Sequence, residues 1–269
     1  MITRAEVSRS AYEEAISDRA VEKDYVLGWL LMGLSDSPLR NLLAFKGGTA
    51  IKKIYFPDYR YSEDLDFTLL GEIKADELLA QFKNSLLRTE KETGLTFNLP
   101  EEKIERRKGS LTFYVQFIGP LLGRLGSRDV KIDFTFKEFL IFPLEEKSIL
   151  MPYSDSKDLE RKITVYSLEE ILTEKLCALA GRTEPRDLFD THFLLDLGSL
   201  DYVAVGEAFT QKAVDKNIGR EKLLVLLKEK EKVIAELWET RLARQVIKLP
   251  PLKKVMREVN KNLRLYSIG

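Results

Sequence analysis

Val21, Tyr25, Leu27, Leu30, Leu31 and Leu34 recur at spacings of three and four, which predicts a helix across residues 6–34 that Asp36-Ser37-Pro38 terminates. The run Leu42-Leu43-Ala44-Phe45-Lys46 predicts a short strand leading into a turn at Gly47-Gly48-Thr49. A helical segment, Ala50-Ile51-Lys52-Lys53-Ile54-Tyr55, follows, and in Asp64-Leu65-Asp66-Phe67-Thr68-Leu69 the period changes to two. Residues 75–92 predict another helix, with Leu78, Leu79, Phe82, Leu86 and Leu87 on one side and Gly94 as its stop. Strands are predicted at 104–107, 111–118 and 130–136.

Beyond Pro143 and Pro152 the pattern reads as helix throughout. Ser167-Leu168-Glu169-Glu170 has the form of a capping box, opening a helix that carries Lys175 and runs to Gly181. Gly198, residues 217–219 and Pro250-Pro251 punctuate the remaining helices, and Ile234, Trp238, Leu242 and Val246 form a core stripe at spacing four. The expected class is α+β: residues 1–155 form an α/β domain with a mixed β-sheet, followed by an α-helical domain over 156–269.

The period of two in the 64–69 strand gives the chain its candidate chemistry. It puts Asp64 and Asp66 on one face while Leu65, Phe67 and Leu69 point to the other. Adjacent carboxylates repel, so the pair needs a cation, and hard oxygen ligands suit Mg²⁺, with Mn²⁺ as the alternative. The Gly47-Gly48-Thr49 turn, with Lys46 before it, lets backbone approach a phosphate closely. Thr49 either donates its hydroxyl to that phosphate or caps the helix after it. Asp133 alternates with Lys131 and Thr135 on one face of its strand, so it joins the pair as a third metal ligand if the two strands adjoin; otherwise it is an edge-strand charge.

Composition narrows the classes. At 269 residues, with 44% hydrophobic and 10% aromatic side chains, the chain can fill a sizeable core. It contains no apolar run of membrane-spanning length and opens on charge without an apolar signal core, so a cytoplasmic location without membrane association is expected. The single cysteine, Cys177, excludes an internal disulfide and reads as a buried hydrophobe. The single histidine, His192, argues against a His-rich zinc site or a Ser-His-Asp hydrolase. Lys plus Arg equals Asp plus Glu at 43 each, yet from residue 220 to 264 bases outnumber acids. That run, which includes Arg220, Glu221 and Lys222, is either a solvated helix face or an RNA-contacting surface.

The segment Gly47-Gly48-Thr49 followed by Arg60-Tyr61-Ser62-Glu63-Asp64-Leu65-Asp66-Phe67 resembles the first motif of nucleotidyltransferase-fold toxins of the AbiEii/AbiGii family, known from type IV toxin–antitoxin systems. Glu174-Lys175-Leu176-Cys177-Ala178-Leu179 and Arg186-Asp187-Leu188-Phe189-Asp190 also match, so the resemblance spans residues 45–190. It implies a nucleotidyltransferase fold in the first domain and catalytic roles for Lys175 and Asp187, with Arg182, Arg186 and Asp190 in support. From the residues alone, Lys175 lies on a largely apolar helix face and wants an anion, either a nucleotide triphosphate or a neighbouring Glu174 or Glu170. The resemblance further implies transfer of nucleotides from NTP to an RNA acceptor, the 3′ end of tRNA, and reversal by a cognate antitoxin protein. The alternatives are transfer to a small molecule or a protein hydroxyl, and a non-catalytic module that binds nucleotide or RNA. A kinase ranks low, since the chain lacks G-x-x-x-x-G-K-[ST] and the kinase H-R-D and D-F-G elements.

Overall fold

The computed structural model describes residues 1–216, 218 and 223–268, arranged in two compact units. The first comprises Met1–Glu138 and Leu144–Val165. Where the spacing predicts one N-terminal helix there are two, α1 (Arg4–Glu13) and α2 (Asp18–Ser35). Ala15 turns left-handed at φ 51°, and Ser17 caps α2 by accepting from the Ala20 N–H at 3.3 Å. Helix α2 is buried on nearly every side and carries two buried acids, Glu22 and Asp24. Glu22 accepts from the Leu121 N–H at 2.9 Å and pairs with Arg128, which fixes a surface loop to the helix.

Strand β1 (Leu43–Lys46) enters α3 (Gly47–Ala50), which widens over Ile51–Tyr55 until the Phe56 N–H donates to the Ile51 carbonyl at 2.8 Å. Such i→i+5 turns are rare and are found mostly at functional sites. Lys53 on this wide turn is buried 2.5 Å from Asp24, and the Tyr153 hydroxyl donates to the same carboxylate at 2.7 Å. Burial drives the Lys53 ammonium below its ordinary pKa, and Asp24 only partly opposes this.

After β2 (Asp64–Leu69) comes α4 (Ala75–Thr93), closed as predicted by Gly94 at φ 75°. The remaining strands are β3 (Thr96–Asn98), β4 (Ile104–Arg107), β5 (Ser110–Ile118), β6 (Asp129–Phe136), β7 (Leu144–Ser148) and β8 (Lys162–Tyr166). Among the described residues these eight form one mixed sheet in the order β3-β5-β6-β2-β1-β8-β7, with β4 also on β5. Strands β7 and β8 correct the expectation of helix throughout beyond Pro143. The latter lies parallel to β1 and buries Ile163 and Val165, so the sheet unit continues past residue 155. Phe67 stacks on Phe134 at 5.3 Å and Phe82 of α4 meets Phe113 edge-on at 4.8 Å, so the inward faces of β2, β5 and β6 share one aromatic core.

The second unit comprises Phe139–Pro143 and Tyr166–Gly269. Its helices are α5 (Leu168–Gly181), α6 (Pro185–Asp196), α7 (Tyr202–Asp215), α8 (Leu223–Leu242) and α9 (Leu252–Leu265). Ser167 caps α5 as predicted, accepting from the Glu170 N–H at 3.2 Å. Glu170 serves another purpose than closing the box: its buried carboxylate accepts from the Ile141 and Phe142 N–H groups at 3.2 and 2.9 Å and pairs with buried Lys212 at 2.5 Å. This holds Phe139–Pro143 in the helical unit. Cys177 is buried, and His192 meets Glu258 at 2.8 Å. Of the predicted break at 217–219 only Ile218 is described; Asn217, Gly219, Arg220, Glu221 and Lys222 lie outside the described residues. Among the described residues no helix is long and apolar enough to cross a membrane.

Candidate active site

Sheet register assembles the first group of candidates. Lys46 at the end of β1 pairs with Asp66 of the antiparallel β2, and the parallel β6 sets Asp133 opposite Asp66 and Lys131 opposite Asp64. Thr112 of β5 pairs with Asp133. Along β2 the alternation behaves as predicted: Leu65 and Phe67 are fully buried while Asp64 and Asp66 are partly exposed. Gly47 sits at φ 84°, where a side chain is strained, and a Cβ there would stand 2.5 Å from Asp66 Oδ2. The turn therefore closes on the carboxylate only because it has no side chain at that point.

Thr49 resolves its two alternatives in favour of neither. Its buried hydroxyl donates to the Asp64 carbonyl at 2.6 Å, tying the glycine turn to the carboxylate strand. The Arg-Tyr-Ser run before Asp64 is also buried: Arg60 donates to the Tyr61 carbonyl at 3.1 Å, and Lys52 lies 4.2 Å over the Tyr61 ring. Ser62 Oγ stands 3.5 Å from Asp64 Oδ1. Lys46 turns away from the glycines to Thr135 at 3.2 Å and Glu138 at 3.5 Å.

Asp64 and Asp66 offer hard oxygen donors beside a cradle that a Cβ would fill, and they fit a divalent cation. The two strands adjoin, the condition on which Asp133 could join the pair, but its two oxygens are engaged by the Thr112 hydroxyl and the Lys131 ammonium. No group of three His, Cys, Asp or Glu is gathered for a metal ion among the described residues. Burial would depress the Lys131 ammonium, yet Asp133 and then Asp66 raise it above its ordinary pKa. Lys131, Thr112 and Glu138 escaped the sequence reading of the site, and Ser62 entered it only as part of the motif before Asp64. Only Lys131 carried a signal there, as the neighbour of Asp133 on the same strand face.

The second group lies in the helical unit. Lys175 of α5 is 2.9 Å from Asp187 Oδ1 and 2.7 Å from Asp190 Oδ2, which sit one turn apart on α6. Arg182 donates to Asp187 through Nε at 2.6 Å and Nη2 at 3.1 Å. Burial alone would raise the Asp187 carboxyl, but Lys175 and Arg182 hold it below its ordinary pKa. Lys175 thus takes neither Glu170 nor Glu174, which are paired with Lys212. Arg186 pairs with Glu184 at 3.5 Å instead of joining the cluster. Lys230 of α8 completes the surroundings, donating to the carbonyls of Leu179, Ala180 and Arg182 at 2.6, 2.8 and 3.0 Å.

A mixed sheet with a same-face aspartate pair beside a glycine turn, in a chain that also carries a helical unit with a buried Lys-Asp cluster, has the features of a nucleotidyltransferase. Residues 29–260 match the family described as nucleotidyl transferase AbiEii toxin of type IV toxin–antitoxin systems, and the chain belongs to that family. In fold it is similar to MenT4, a nucleotidyltransferase toxin from Mycobacterium tuberculosis H37Rv, at a TM-score of 0.72 and 22% identity over 99% of this chain and 90% of that one. It is also similar to JHP933 from Helicobacter pylori, at a TM-score of 0.60 and 20% identity over 93% of each chain. No curated protein matches the chain.

Proposed function

We propose that this enzyme is a toxin that transfers a nucleotide from a nucleoside triphosphate to an RNA acceptor, the 3′ end of tRNA, in an Mg²⁺-dependent reaction that a cognate antitoxin protein restrains. The observation that carries this reading is the same-face pair Asp64 and Asp66 beside Gly47, Gly48 and Thr49. Asp64 and Asp66 would hold the divalent ion, which when bound supplies positive charge to the triphosphate. The acceptor hydroxyl attacks the α-phosphorus, the bond to the β-phosphate oxygen breaks, and pyrophosphate leaves. Asp133, once Lys131 and Thr112 release its oxygens, orients the acceptor hydroxyl and receives its proton. Lys175 offsets charge that develops during transfer. Asp187, a carboxylate already claimed by two cations, is a weak base and serves to aim Lys175 and Arg182.

The test incubates purified protein with each labelled triphosphate, Mg²⁺ and total RNA. Label is expected in RNA with wild type and to be lost with Asp66→Ala. Full activity of Asp66→Ala would overturn the site assignment, and label on the protein or a small molecule would replace the RNA acceptor.

A further inference from the structure

Helix α9 divides sharply between its two faces. Val255, Met256, Val259 and Leu263 are buried, while Lys253, Lys254, Arg257, Lys261 and Arg264 are all exposed. Lys254, Arg257, Lys261 and Arg264 follow at spacings of three, four and three, a stripe about 15 Å long at 1.5 Å per residue. A solvated face commonly interleaves acids and bases at i+3 or i+4, as Lys228 with Glu231 and Glu229 with Lys232 do on α8. On α9 only Glu258, four residues after Lys254 and three before Lys261, interrupts the like charges repeated at i+3 and i+4, and such repeats destabilise a helix unless something outside it supplies negative charge. Among the described residues, Arg257 is the one stripe cation with a carboxylate within 4 Å, Glu258 at 3.7 Å, and Glu258 is itself engaged by His192 at 2.8 Å. The concentration is local. Residues 241–268 hold eight Lys and Arg against the single acid Glu258, in a chain whose total charge is zero.

We propose that the exposed face of α9 is a docking surface for the sugar–phosphate backbone of RNA, separate from the residues assigned to nucleotide transfer. The inference rests on the RNA-acceptor reading for the identity of its polyanion. The stripe supplies flexible cations without aromatic partners or a planar pocket, so it recognises phosphate spacing and not base sequence. Docking there adds affinity and orientation, leaving the chemistry to the transfer residues.

Fluorescence anisotropy of the full chain with a fluorescein-labelled, 3′-tailed RNA hairpin, titrated from about 50 to 200 mM salt, tests this. Five phosphate contacts give a log–log salt slope of about −4 and roughly a 250-fold loss of affinity across that range. Replacing Lys253, Lys254, Arg257, Lys261 and Arg264 by Gln should flatten the slope by about four units, while exchanging every Lys for Arg and every Arg for Lys should leave it unchanged. All five side chains are exposed and Gln is as good a helix former, so an unaltered melting curve verifies that the variants fold. Unchanged binding by the five-fold Gln variant overturns the proposal even if nucleotide transfer to RNA is confirmed. A variant that keeps RNA binding but loses binding to labelled poly-glutamate overturns it in favour of an acidic protein partner.

Discussion

Gly47 is the residue on which the aspartate pair depends most directly. Its φ of 84° and the 2.5 Å between a Cβ at this position and Asp66 Oδ2 impose two separate penalties on any side chain. Gly47→Ala is expected to cost about 1 kcal/mol or more of stability and to displace the carboxylate. Transfer should then fall much further than the change in melting temperature accounts for, and a wild-type rate would show that Asp66 does not need its observed position. Asp187 makes a prediction of another kind. Its folded-state pKa lies below the ordinary value near 3.8, so the stability it contributes is complete above that value and is lost as pH falls below it toward the folded value. Urea unfolding of wild type and Asp187→Asn should differ most above pH 4 and converge on further acidification; a constant gap would exclude the ionised carboxylate as the source.

At the scale of elements, the wide turn after α3 is held from beneath by a buried ion pair. Lys53 and Asp24 are 2% and 3% exposed, and the Tyr153 hydroxyl also donates to the carboxylate. Removing one member leaves a buried charge, which typically costs about 3–5 kcal/mol, whereas removing both can be nearly neutral. Lys53→Met should therefore destabilise strongly and Asp24→Asn with Lys53→Met should recover most of the loss, measured as a double-mutant cycle by denaturant unfolding. Equal losses for the single and double variants would show that the pair anchors the turn by shape alone. The same element illustrates why strands and turns differ in legibility. Alternation in 64–69 and 130–136 announced which residues face the core, and the structure follows it except at the strand ends, where Thr68 is buried and Leu69 and Phe136 are half-buried. The i→i+5 widening at Ile51–Tyr55 was not read from the sequence, and the residue that pairs with its Lys53, Asp24, lies 29 residues away.

Across the whole molecule, what the sequence concealed is what distance along the chain conceals. Strand β7 reads Leu-Glu-Glu-Lys-Ser, a charged edge strand with no apolar alternation to betray it, and β8 follows a break in pattern at Pro152. The two carboxylates and the glycine turn were legible because they fall within twenty residues of one another. Lys212, fully buried, looks like any helix-surface lysine until Glu170 and Glu174 are placed against it. The clamp on Phe139–Pro143 has a consequence for how the protein is made. That segment leaves the ribosome 29 residues ahead of the carboxylate that accepts from Ile141, and Lys212 comes later still. The link between β6 and β7 therefore waits, unanchored, while the helices are synthesised. Its seat on Glu170 is neutralised only once Lys212 of α7 has emerged, so an early-made loop is fixed by residues made well after it.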